Sequence, residues 1–236
     1  MGGTGLFWRR APNYTLAITV VPGIKKREER ITALMCGNAD GSDKVPIWII
    51  GHAMNPRAFK NINNKTSLGC IWQANSTAEN ITVIMREWLE WFDFRMKAQR
   101  RMVVLLLDNF RPHENAVEDL GGVNGLSHVR ILWLPPLCTS RYQPMDQGII
   151  RTWKAYYRQS MIRHIIQLVD TEVDLVSAEP YATINVLHAI CWAVEAWKVG
   201  VKASTLEHCF SRSQVKMHGP APQQPLEDND PEHPDQ

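Results

Sequence analysis

Two aspartates stand where a fold can do chemistry with them. Asp108 closes the apolar run Val103-Val104-Leu105-Leu106-Leu107, and Asp146 lies in Tyr142-Gln143-Pro144-Met145-Asp146-Gln147-Gly148. Five consecutive apolar residues read as a strand buried on both faces, with a neighbour paired on each side. Such a strand running into Asp-Asn delivers a carboxylate to its C-terminal edge, where open α/β sheets place ligands. An Asp ending a strand also suits a plain turn, so position alone does not decide. On a 100° wheel Asp146 falls with Ile149, Trp153, Tyr157 and Ser160, while Arg151, Lys154 and Arg158 take the opposite face. The helix dipole favours an exposed Asp in a first turn, but an inward-facing carboxylate needs a partner charge. Two carboxylates converging on one gap supply oxygen-only ligands, which suit Mg²⁺ or Mn²⁺ and displacement at phosphorus.

The elements that must position this pair follow from periodicity. Leu6 to Trp8 read as the end of a first strand with little lead-in. Ile31–Gly37 and Val45–Ile50 form two more strands around the Asn38-Ala39-Asp40-Gly41-Ser42 turn, with Pro46 at a strand start or an edge. Residues 55–75 show neither period and read as an irregular excursion. Ile81, Ile84, Met85, Trp88, Trp91, Phe92 and Met96 recur at helical spacing behind a Ser76-x-x-Glu79 capping box. A short helix opens at Pro112 and ends at Gly121-Gly122. Val129–Leu134 is a strand stopped by Pro135-Pro136, and a last long helix runs from near Pro144 to about Leu168. The order of strands, helix, strand, helix, strand, helix gives an α/β layer fold.

Composition narrows the classes. The 236 residues are 44% apolar with nine Trp, enough for a real core, and the net charge is +2. The distribution is uneven: the first 215 residues hold 25 basic and 19 acidic side chains, while the segment from Lys216 carries five acids and five Pro. The first part permits a polyanionic partner, and 216–236 reads as a disordered tail. Cys36, Cys70, Cys138, Cys191 and Cys209 are scattered, which points to reduced thiols in an intracellular protein rather than disulfides or a zinc site. No apolar stretch reaches membrane-spanning length, so no membrane partner is expected. No nucleophile elbow or phosphate loop appears, and no small-molecule substrate is evident. The basic face Arg151, Lys154, Arg158 reads as a solvated helix surface or a DNA contact.

These motifs fall together in a known pattern. The chain resembles the DDE endonuclease domain of pogo/Tigger-like transposases in the mariner superfamily. The residues that carry the resemblance are T-G-L-F-W (4–8), K-R-E-E-R-I-T-A-L (26–34), N-A-D-G-S-D-K (38–44), L-L-L-D-N-F-x-x-H (105–113) and L-P-P-x-x-T-S-R-Y-Q-P-M-D-Q-G-I-I (134–150). It covers about two thirds of the chain and continues weakly through A-W-K-V (196–199) and T-L-E-H-C-F (205–210). The resemblance implies a ribonuclease H-like mixed sheet flanked by helices, with the DDE domain at 1–170, N-terminally truncated, and a helical trailer at 171–215. It further implies metal-dependent cleavage and strand transfer of transposon-end DNA, with Mg²⁺ or Mn²⁺ as cofactor and a nuclear location, and it admits a homodimer. By motif position Asp108 and Asp146 are two of the catalytic, metal-ligating carboxylates. Asn109 and His113 accompany the first of them, and Arg141, Arg151, Lys154 and Arg158 are candidate DNA contacts. The family's first catalytic Asp lies in D-E-T-G-L-F-W, and the matching position here is Gly2, which offers no ligand. The family's helix-turn-helix DNA-binding region has no counterpart in the chain. The expectation is therefore a DDE domain inactive as given, the alternative to an active nuclease being a domesticated module that binds DNA or protein.

Overall fold

The computed structural model describes residues 1–10, 29–62, 65–135, 142–171 and 180–213. Among these described residues six strands are present: β1 (Gly2–Phe7), β2 (Arg30–Met35), β3 (Trp48–Gly51), β4 (Ile71–Ala74), β5 (Val103–Leu107) and β6 (Val129–Trp133). Five described α-helices flank them: α1 (Thr82–Ala98), α2 (Arg111–Asp119), α3 (Ile150–Thr171), α4 (Val186–Glu195) and α5 (Ala203–Arg212). β1, β2 and β3 pair antiparallel, β4 joins β3 in parallel, and β5 pairs with β6 in parallel. At the junction Met1 N donates to Leu106 O at 3.1 Å and Gln143 Nε2 donates to Met1 O at 3.2 Å. This is a mixed α/β architecture of the ribonuclease H-like kind.

Alternation along the strands splits the core into two layers. Ile31, Ala33 and Met35 of β2 and Ile49 of β3 face Trp153, Tyr157, Trp197 and Leu206 of the α3–α5 side. Leu34, Trp48 and Ile50 face Trp88, Leu89 and Phe92 of α1, together with Leu105, Leu107 and Val117. Three buried ring donors reach carbonyls across the layers, while Trp48 Nε1 is buried without a partner. Trp153 Nε1 donates to Ala193 O at 2.9 Å, Trp197 Nε1 to Val45 O at 2.8 Å, and Tyr157 Oη to Trp8 O at 2.5 Å. Lys44, beside the β2–β3 turn, donates from Nζ to the carbonyls of Trp197, Lys198 and Val201, and so caps the end of the α4 extension.

Several expectations change on contact with this packing. The run 103–107 is not buried throughout. Among the described residues β5 pairs only with β6, and while Leu105, Leu106 and Leu107 are buried, Val104 near its start is 47% exposed. The stretch 55–75 is not wholly irregular: Ile71–Ala74 forms β4 beside β3, a four-residue strand too short to show a period. The Ser76–Glu79 capping box does not form. The N-cap of α1 is Ile81 without a side-chain bond, and Asn75 Oδ1 instead accepts from the backbone of Thr77 and Glu79 in an Asx turn that leads to Ala78 at φ 53°. The segment 216–236, expected to be a disordered tail, and Cys138 lie outside the described residues, and the four described cysteines are free. No described helix is long and apolar enough to cross a membrane.

Candidate functional site

Asp108 leaves the end of β5 with its carboxylate partly buried and fixed from behind. His113, one turn into α2 and only 3% exposed, places Nδ1 2.7 Å from Asp108 Oδ1. The other ring nitrogen, Nε2, lies 3.2 Å from Asn80 Nδ2. An amide donor at Nε2 leaves the ring proton on Nδ1, on the side of the Asp108 carboxylate. Burial pushes the Asp108 carboxyl up, but the His113 hydrogen bond and charge and the Phe110 backbone N–H outweigh it and hold the group below the usual carboxylate range. Asn109 beside it is exposed.

Asp146 reaches the same region by a route that the helical wheel misses. The chain enters α3 through a π-helical turn at Met145–Ile149, and Gly148 within it has φ 146° and ψ −15°. That break shifts the register, so Met145 and Ile149 are buried while Asp146 is exposed, not turned in with Trp153 and Tyr157 as the wheel has it. Partial burial and the charge of Asp108 push the Asp146 carboxyl up, against the pull of Lys154. The basic residues do not all point away either. Burial lowers the Lys154 ammonium, as do the charges of Arg158 and Arg30, while Asp146 raises it. Arg151 and Arg158 are exposed on α3, and Arg141 lies outside the described residues.

Asn80 and Arg30 escaped the sequence reading. Asn80 sits in an ordinary loop before α1, and only the tertiary contact with His113 singles it out. Arg30 stood within a polar, basic loop, but as the first residue of β2 it pairs with Glu79 at 2.6 Å and lies against Gly5.

The donors suit a hard divalent cation in kind but not in number. Asp108 and Asp146 feel each other's charge, and an ion between them would relieve that repulsion. The third carboxylate has no counterpart. A Cβ at Gly2 would stand 2.8 Å from Met145 Cβ and 3.1 Å from Gln143 Nε2, so that place is already filled. Among the described residues no group of three His, Cys, Asp or Glu side chains could hold a metal.

The opposite shifts give opposite stability effects. Asp108 contributes stability that is present above the ordinary carboxylate pKa and lost as pH falls through its depressed value. Asp146 behaves in reverse: stability is lost as pH rises from the ordinary pKa through its raised one. At neutral pH Asp146→Asn therefore stabilises the fold, by no more than roughly 1 kcal/mol for a solvent-screened group. Asp108→Asn destabilises it. Urea unfolding at pH 7 checks both, and two changes of the same sign would contradict the assignment.

Residues 28–210 match the family model described as DDE superfamily endonuclease, a superfamily that uses divalent metals. ARS-binding protein 1 of Schizosaccharomyces pombe is 37% identical over 217 residues, 91% of this chain and 40% of that protein. CENP-B homolog protein 2 of the same yeast is 38% identical over 230 residues, 94% of this chain and 43% of that protein. Tigger transposable element-derived protein 4 of Mus musculus is 32% identical over 192 residues, 80% of this chain and 35% of that protein. The chain thus spans about two fifths of the length of these relatives. No solved structure matches it. With β5 and the turn into α3 presenting Asp108 and Asp146 at one edge of a ribonuclease H-like sheet, the chain belongs to the DDE superfamily endonucleases, among their pogo/Tigger-like members.

Proposed function

We propose that this chain is a DNA-binding DDE domain of the nucleus that keeps one weak Mg²⁺ or Mn²⁺ site at Asp108 and Asp146 and does not cut DNA. The observation that carries this reading is Gly2, a position without a carboxylate and packed against Met145 and Gln143. A bound cation would supply charge neutralisation between the two carboxylates and toward an incoming phosphate. His113 holds the Asp108 carboxylate ionised and oriented for that contact, and Asn80 holds His113.

DNA binding is supported by charge placement. Burial lowers the Lys154 ammonium and the neighbouring charges of Arg158 and Arg30 lower it further, an arrangement of like charges that an anion relieves. The relatives named for ARS binding and as CENP-B homologs point the same way, toward chromatin and the nucleus. A second reading, an active transposon-end nuclease, is favoured by the retained coupling of Asp108 with Asp146.

The test is fluorescence anisotropy with a labelled duplex of about 20 base pairs across a salt series. The expected result is binding that weakens steeply with salt. Lys154→Ala and Arg158→Ala should each weaken it and reduce the log–log slope by about 1, for one phosphate contact apiece. Binding that is insensitive to salt and to both substitutions would refute the proposed interface.

A further inference from the structure

The second half of α3 carries an exposed apolar stripe. Trp153, Tyr157 and Met161 seat the helix on the core, and Ile165 packs beside them. Ile162, Ile166 and Val169 stand on the other side, 38%, 52% and 51% exposed. Their i, i+4, i+7 spacing sets them in one line along the helix, the pattern by which one helix packs against another. Arg163 and Asp170 flank that line on a single side, because seven residues make close to two full turns. Both are exposed, and among the described residues neither enters an ion pair.

We infer that this face pairs two copies of the chain, α3 against α3 and antiparallel about Ile166. Ile162 of one copy then meets Val169 of the other, and the two Ile166 side chains meet at the two-fold axis. A two-fold axis that reverses the helices also brings the same flank of both copies together. Arg163 of each copy therefore lies beside Asp170 of the other, and one flank supplies two symmetric ion pairs. This charge complementarity selects the occupant, since a second copy presents the matching charges by symmetry alone. Parallel pairing would turn each flank toward the opposite flank and leave Arg163 and Asp170 without each other. The apolar contact is small beside the roughly 800 Å² per partner of a standard interface, so the dimer is weak and depends on concentration. One consequence rests on the DNA-binding reading above. Arg151, Lys154 and Arg158 lie on the flank away from Arg163, so both cation rows share one face of the dimer. Counted through Ile166, Lys154 and its symmetry mate stand about 24 residues apart, or about 36 Å at the helical rise, close to one turn of duplex DNA.

Sedimentation of the full chain across the micromolar range tests the pairing. The expected result is a monomer–dimer equilibrium that Ile166→Glu abolishes. Arg163→Asp and Asp170→Arg should each weaken the dimer about tenfold, because two attractive contacts become repulsive. Mixing these two variants in equal amounts should restore it, since each offers the charge that the other lacks. All three positions are exposed, so these substitutions leave the fold intact. A chain that stays monomeric, a dimer that survives Ile166→Glu, or two weakened variants that do not recover on mixing would each overturn the pairing. If the dimer forms and the labelled duplex does not bind, the DNA-binding reading fails and the interface stands. If the duplex binds and the free chain stays monomeric, the interface fails and the DNA-binding reading stands.

Discussion

Plasmid DNA incubated with this chain and Mn²⁺ is expected to stay supercoiled, and the Gly2→Asp variant should not change that. In-line displacement at phosphorus needs the attacking and leaving oxygens clamped together, and two carboxylates cannot hold the ions that do so. Losing one preorganised electrostatic contact of this kind costs roughly 10²–10³ in rate. Restoring an aspartate at position 2 does not restore its geometry. Its Cβ would stand 2.8 Å from Met145 Cβ and 2.9 Å from Met145 Cγ, and the first of these is no flexible tip that can swing aside. The β1 strand and the π-helical turn must then separate, so Gly2→Asp should lower stability by about 1–3 kcal/mol, the usual effect of overpacking. Plasmid nicking and thermal unfolding of the two proteins check both halves. Robust cutting by the unmodified chain that disappears in Asp108→Ala would overturn the claim.

Trp153→Ala should be the most damaging single substitution on α3. Trp153 is fully buried, stands in the core layer between β1–β3 and α4, and donates its indole N–H to Ala193 O. Removing it empties a large volume, which costs about 3–5 kcal/mol. It also takes away one of two donors to the Ala193 carbonyl, which keeps the Ala196 N–H, a loss of roughly 1 kcal/mol at most. Against a total stability of about 5–15 kcal/mol, the variant is marginal or unfolded at 37 °C. DNA binding through Lys154 and Arg158 falls with it, because the helix that carries them is no longer seated. Phe94→Ala, at a position 70% exposed on α1, is the control and should stay within about 0.5 kcal/mol. A Trp153→Ala loss below about 1 kcal/mol in urea would show that α3 is not anchored through this residue.

Much of this was legible in the chain. Helical spacing from Ile84 to Met96 identifies the buried face of α1, because a 3.6-residue period repeats over four turns. The Asn38–Ser42 turn and the flanking apolar runs identify β2 and β3. Asp108 as a strand-end carboxylate follows from the apolar run before it, and the vacancy of a side chain at Gly2 follows from the motif around it. Each of these is a local property, fixed by spacing or by residue type within a short window.

The rest depended on what the segments meet. The strand β4 has only four residues and is held by β3, so no periodicity announces it. Val104 is exposed while Leu106 on the same face of β5 is buried, a matter of arrangement rather than of hydrophobicity. The direction of Asp146 turns on one glycine at φ 146°, which breaks the uniform helix that any wheel assumes. Asn80 joins His113 across 33 positions of sequence, and Arg30 meets Lys154 only through the fold. Composition and spacing determine which side chains are available and which short stretches are regular. Which carboxylates feel each other's charge, which cations crowd, and which buried polar atoms are left unpaired is decided by long-range packing, since electrostatic and hydrogen-bond energies depend on distance in space and not along the chain.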